Sequence, residues 1–209
     1  MRHIALILSL LLGLVTGSAQ IKGNIPQLLE RAEGALYQSG ATVVDFSTTM
    51  RDKAGRDLGA STGKMYLQGE AFRLEYGTVT AVYSSGILTY YDRAEHTLTI
   101  SRPTADEILQ INPLHFLRSR ARGFTAMLLS STTTQQRVRF VPQQKSNIVM
   151  MEATFNLKSS LPSQLTFLAR DGSVLTALVP EIKSREALPK TFFYLNAKSY
   201  PGCEVVDLR

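Results

Sequence analysis

From Thr62 to Ser101 apolar and polar residues alternate almost without a break. Met65 and Leu67 stand against Lys64 and Gln68; Phe72, Leu74 and Tyr76 against Arg73 and Glu75; Leu98 and Ile100 against Thr97, Thr99 and Ser101. Successive strand side chains point to opposite faces, so the pattern predicts a sheet with one apolar and one polar face. The stretch reads as four consecutive antiparallel strands. Its turns fall at Gln68-Gly69-Glu70, at Ser85-Gly86 and at the longer polar run Asp92 to Glu95. Val79, Ala81 and Tyr83, then Leu88 and Tyr90, continue the apolar face. Ile87 and Tyr91 fall on the other face and mark a place where a helix or terminal segment packs.

Ahead of this stretch, Ile25, Leu28, Leu29, Ala32, Ala35 and Leu36 recur at helical spacing, with Asn24 placed to cap and Pro26 in the first turn. The helix ends near Gly40. Thr42 to Met50 then reads as a strand, with Val44, Phe46 and Thr48 on one parity. After Pro103 the period changes. Thr104-Ala105-Asp106-Glu107 has the spacing of a capping box, followed by Ile108, Leu109 and Ile111. Asn112-Pro113 restarts helix, with Leu114, Phe116 and Leu117 on its apolar side. Two short helices here form an insert that lies across one opening of a curved sheet. Ser130 to Thr134 reads as a loop.

Period two returns afterwards: Val138 and Phe140, then Met151, Ala153, Phe155 and Leu157, then Leu165 and Phe167. Asp171-Gly172 is a strong hairpin signal, with Val174 to Val179 as the return strand and Pro180 to Lys190 irregular. The fold class is mainly β (α+β): an incomplete antiparallel barrel or strongly curved sheet of about ten or eleven strands, because sheets this large curl or close. Its N-terminal helix and helical insert are too few to fill the concave side densely. That leaves a hydrophobic cavity, with an ordinary well-packed barrel core as the alternative.

The 209 residues are 44% hydrophobic and 19% charged, which suits one globular domain with a sizeable core. Met1-Arg2-His3, the apolar run Ile4 to Val15 and the small residues Gly17-Ser18-Ala19 read as a signal peptide cut after Ala19. The mature chain, residues 20–209, is then an exported single domain. Loss of Arg2 takes the formal charge from +6 to +5. The remaining excess is scattered, apart from Arg118, Arg120 and Arg122, so it fits transient contact with an anionic membrane surface better than nucleic acid. Cys203 stands alone and cannot form an internal disulfide.

Candidate chemistry is sparse. Of three histidines, His96 and His115 lie in the mature chain without metal-ligand spacing. Asp106, Glu107 and Glu30 read as helix-end and solvent-face carboxylates. The serines lack a nucleophile elbow, and glycine-rich phosphate loops are missing. No cofactor is expected, and no enzymatic activity.

The order of motifs carries more information than any one of them. Gly63-x-Met65-Tyr66-Leu67, Phe72-Arg73-Leu74-Glu75-Tyr76, Ser85-Gly86-x-Leu88-x-Tyr90-Tyr91-Asp92, Ile111-Asn112-Pro113-Leu114 and Asp171-Gly172 resemble the periplasmic outer-membrane lipoprotein carrier family, LolA. The ending Tyr200-Pro201-Gly202 with Val205-Val206-Asp207-Leu208-Arg209 is similar to LolA-like proteins of Bacteroidota type. The resemblance implies an incomplete barrel with helices over its mouth, holding the acyl chains of a lipoprotein in transit. It further implies acylated lipoproteins as cargo, an inner-membrane ABC-type releasing complex as donor, an unspecified outer-membrane acceptor and a monomeric carrier. One departure is that Gln68-Gly69-Glu70 stands where family members often carry Lys-Arg-Pro, whose arginine helps control opening. That gating role does not carry over, and Arg73 has the parity of the face away from the cavity.

The expected cavity wall is Met65, Leu67, Phe72, Leu74, Tyr76, Tyr83, Leu88, Tyr90, Leu98, Ile100, Met151, Phe155, Leu165 and Phe167. The expected lid is Ile108, Leu109, Ile111, Leu114 and Leu117. Met65, Met127 and Met151 suit a wall that repacks around varied chains, and equally suit plain core filling. Three functions stay open: a lipoprotein carrier, an exported binding protein for another lipid or apolar ligand, and an envelope scaffold with a filled core.

Overall fold

The computed structural model describes residues 24–209, so the signal peptide assigned to residues 1–19 lies outside the described residues. Helix α1 (Ile25–Leu36) starts as its sequence dictates, with the Asn24 side-chain oxygen accepting the Gln27 amide N–H at 3.1 Å and proline in the first turn. Six strands follow: β1 (Ala41–Arg51), β2 (Asp57–Gln68), β3 (Ala71–Tyr76), β4 (Val79–Ser84), β5 (Ile87–Asp92) and β6 (Thr97–Ser101). Helices α2 (Ala105–Ile111) and α3 (His115–Arg118) separate them from β7 (Phe124–Ser131), β8 (Gln135–Pro142), β9 (Ile148–Asn156), β10 (Pro162–Ala169) and β11 (Val174–Arg185). Two 3-10 turns, Lys190–Phe193 and Ala197–Ser199, lead to β12 (Glu204–Asp207).

All twelve strands join one sheet in the order β12-β6-β5-β4-β3-β2-β1-β11-β10-β9-β8-β7. Neighbours are antiparallel except β12, which runs parallel to β6. β12 and β7 do not pair with each other, so the curved sheet stays open. This is the mainly β, incomplete-barrel architecture expected from periodicity, with twelve strands in place of ten or eleven.

Three local differences have physical causes. Thr62–Ser101 holds five strands rather than four, because Gly77, at φ 58°, makes an additional turn between β3 and β4. Ser130 and Ser131 belong to β7 rather than to a loop, held by the β8 ladder. β11 runs on through Pro180 to Arg185 because Asp45 opposes Glu181 and Ser47 opposes Leu178. Val179 and Pro180 thus face Phe46 alone at a bulge, where the proline's missing N–H is not required.

The main core lies on the concave face. Leu28, Leu29, Ala32 and Leu36 of α1 and Phe116 and Leu117 of α3 pack there on Leu67, Phe72, Phe140, Met151 and Phe155. A second, smaller core lies on the other face, where Phe193 and Leu195 cover Val82, Tyr91 and Leu98. Tyr200 stacks on Tyr91 with ring centroids 3.9 Å apart, so the terminal segment fills the place that Tyr91 marked. Arg73 also points outward, with its guanidinium 4.9 Å from the Phe192 ring centre.

On the outer face Glu152 is buried beneath Arg137 and Arg139, whose guanidiniums both donate to its carboxylate, Arg139 at 2.6 Å. Burial pushes the carboxyl up, but the hydrogen bonds and charges of Arg139 and Arg137 outweigh it and hold the group below the ordinary glutamate value. A depressed folded-state value contributes stability above the unfolded value, and that contribution is lost as pH falls through the folded one. Glu152→Gln should therefore cost about 1–3 kcal/mol at neutral pH. Urea unfolding should show that difference shrink towards zero as the pH is lowered below the carboxylate range.

Candidate functional site

The insert between β6 and β7 is fixed at both ends. At its start the capping box forms: the Thr104 amide donates to Glu107 Oε2 at 2.7 Å and the Glu107 amide to Thr104 Oγ1 at 3.3 Å. Asp106 then accepts from the Ser146 hydroxyl at 2.5 Å and from the Asn147 amide at 3.0 Å, tying α2 to the β8–β9 loop. At the helix junction Asn112 is buried, and its side-chain oxygen accepts the Leu114 N–H at 3.1 Å. Tyr37 of the α1 end donates to the Leu114 carbonyl at 3.4 Å, and burial raises its ionisation well above the usual tyrosine value, so it stays a donor. At the far end Arg118 reaches Glu70 at 2.5 Å and covers the Tyr37 ring, while Arg120 bridges Glu33 at 2.6 Å and Glu30 at 3.1 Å.

Between this insert and the sheet lies a cavity of about 490 Å³. Its floor is the inward parity of the central strands: Val44, Phe46, Thr48 and Met50 of β1, Met65 of β2, Leu74 and Tyr76 of β3, and Leu175, Ala177 and Val179 of β11. Val79, Ala81, Tyr90 and Leu165 extend it sideways; Gln110, Ile111, Pro113 and Leu114 roof it. Met50, Gln110, Pro113 and Leu175 also border an adjoining hollow of about 690 Å³ that ends at Asn147, Arg170 and Ser173. Another depression, of about 770 Å³, carries Asp45, Lys64, Glu75 and Arg93 on its walls. Those charges favour water, so the 490 Å³ cavity is the place for apolar matter.

Glycine at position 63 shapes the floor. A Cβ there would meet the Phe46 ring at 2.3 Å, so its absence lets that ring lie flat on the sheet and stack on Tyr76, 5.9 Å away.

The expected wall residues divide into four groups. Met65, Leu74, Tyr76, Tyr90 and Leu165, with Ile111 and Leu114 of the lid, line the cavity. Phe167 and Leu109 border the adjoining hollow. Leu67, Phe72, Tyr83, Leu88, Met151 and Phe155, with Ile108 and Leu117 of the lid, belong to the concave core. Leu98 and Ile100 are corrected: Leu98 opposes Tyr91 and Ile100 opposes Thr89, so both lie on the outer face in the second core. At that end of the sheet both faces carry apolar residues, and alternation alone does not say which is concave. Met127 is half exposed on the edge strand β7 and lines no part of the cavity.

Periodicity missed the contribution of β1 and β11. The parity of Val44, Phe46 and Thr48 was readable, but their central position depends on β1 pairing with β11, about 130 residues away in sequence. Among the described residues, no three His, Cys, Asp or Glu side chains gather into a metal-holding group.

No family profile and no curated protein matches the sequence. Solved structures do. An uncharacterized conserved protein from Thermus thermophilus superposes with a TM-score of 0.58 at 15% identity, over 87% of this chain and 97% of its own. A DUF1329 family protein from Desulfovibrio piger follows with 0.53 at 9% identity, over 83% and 97%. A LolA superfamily protein from Nitrosomonas europaea gives 0.48 at 11% identity, over 81% and 96%. At these identities the first two show a shared fold.

Proposed function

We propose that the protein is a periplasmic carrier that shelters the acyl chains of lipoproteins and moves them from the inner to the outer membrane. The observation that carries this reading is the apolar cavity between the open sheet and the helical insert. The order of LolA-like motifs in the sequence supports it. On this reading the cargo comes from an inner-membrane ABC-type releasing complex, and the protein performs no catalytic step.

Burying an acyl chain of about sixteen carbons, at roughly 0.8 kcal/mol per methylene, yields on the order of 10 kcal/mol. A carrier must give that back at delivery. The exposed ion pairs of Arg118 and Arg120 suit a roof that parts without large cost, since such pairs each contribute at most about 1 kcal/mol. Opening the roof offsets part of the binding energy.

The test is to isolate the protein from the periplasm and examine it by mass spectrometry, alongside release of lipoproteins from inner membranes. Co-purifying acylated protein and stimulated release are expected. Lipid without lipidated polypeptide would move the assignment to a binding protein for another apolar ligand; no cargo and no release would overturn it.

A further inference from the structure

The polar side chains on the cavity wall are few and unevenly placed. Gln110 and Tyr90 are exposed at the rim. Thr48 lies inside, only 6% exposed, and half-buried Tyr76 borders both this cavity and the charged depression beside it. Their hydroxyl oxygens are 2.6 Å apart.

Two hydroxyls in contact own two hydrogens, and only one of these lies between the oxygens. The other has no acceptor among the described residues. Whichever way the pair is arranged, it therefore offers one O–H donor to the space in front of it. In an apolar wall an unmatched donor is costly, and its complement is an oxygen that accepts.

The position of the pair defines that oxygen further. Along β1 the inward residues run Val44, Phe46, Thr48, Met50, and Met50 is 40% exposed. Thr48 is two residues below that rim, about 7 Å at the rise of a strand. Beneath it the wall is hydrocarbon: Phe46, then Val44, Met65 and Leu74, which share one row of the sheet. A chain bound with its tail on those residues would bring the carbon that joins tail to head level with the hydroxyls.

We infer that Thr48 and Tyr76 form a polar subsite for the carbonyl oxygen of an ester- or amide-linked acyl chain. This rests on the acyl-binding reading of the cavity and names the part of the ligand that is recognised. The tail lies on the floor, the carbonyl accepts the free hydroxyl hydrogen, and the head leaves past Met50 and Leu175. A plain alkyl chain fills the same volume but leaves the donor unmatched, and an ether-linked chain lacks the carbonyl oxygen that projects towards it.

Two lysophosphocholines of equal chain length, one ester-linked and one ether-linked, provide the test, with binding read below their micelle concentrations. The unaltered protein should prefer the ester form by about 3- to 10-fold, the worth of one hydrogen bond. Tyr76→Phe or Thr48→Val alone should keep a preference, because the remaining hydroxyl is then free to donate. The double variant should bring the ratio close to one, with circular dichroism confirming that it folds. An equal affinity of the unaltered protein for both lipids, or an ester preference that survives in the double variant, overturns the subsite while leaving the cavity reading intact. Binding of neither lipid overturns both.

Discussion

Ala177→Phe is expected to weaken acyl binding about 100-fold in a protein that remains folded. Ala177 is on β11 at the centre of the cavity floor, opposite Thr48, and its small side chain borders empty space of about 490 Å³. A phenyl ring built there displaces about four methylenes of ligand, removing ~3 kcal/mol of transfer free energy, close to 100-fold in affinity. Overpacking usually costs 1–3 kcal/mol because neighbours must move; here the ring enters a void, and about 1 kcal/mol or less is expected. Titration with a fluorescent fatty acyl probe measures the first quantity and urea unfolding the second. Retained affinity would mean that acyl chains bind elsewhere.

The second large effect falls on the lid. Leu117→Ala should destabilise the protein by about 2–5 kcal/mol, because the side chain is fully buried between α1 and the sheet and its removal leaves a hole. Ile111→Ala, six residues earlier, should cost about 1 kcal/mol, since Ile111 already faces the cavity and loses fewer contacts. The asymmetry says that apolar packing holds α3 firmly, whereas the junction at Ile111 that roofs the cavity is held more weakly. Denaturant unfolding of both variants, with limited proteolysis across residues 103–122, checks it; equal losses at the two sites would make the whole insert one rigid unit.

How far the sequence led depends on the distance over which each feature is decided. The capping box at Thr104 and Glu107 and the cap at Asn24 are decided within a few residues and formed as read; the hairpin at Asp171-Gly172 formed too, with a four-residue loop, 170–173, in place of a two-residue turn. The alternation from Met65 to Leu88 named the right face because most of the apolar side chains in that stretch share the concave parity. At β6 the alternation was correct and the face was wrong, since Leu98 faces Phe193 and Leu195 from the distant C-terminal segment. The same limit hid Ala177 and Thr48: neither residue is distinctive in a string of letters. They become part of a wall only through the β1–β11 pairing, and the hydroxyl contact of Thr48 with Tyr76 spans three strands.

That pairing has a further consequence, for the route by which the chain folds. Nine of the eleven strand pairings join consecutive strands, so the segments β1–β6 and β7–β11 each zip up through local hairpins. The seam between β1 and β11, and the closing of β12 on β6, must wait for the chain's last quarter. Until the seam forms, each half-sheet presents an open edge and an unroofed apolar face, the features that invite association with other chains. Joining the halves is then the slow, late step, governed by loop closure across the helical insert rather than by hairpin formation. The cavity itself exists only after that step, since β1 and β11 supply most of its floor.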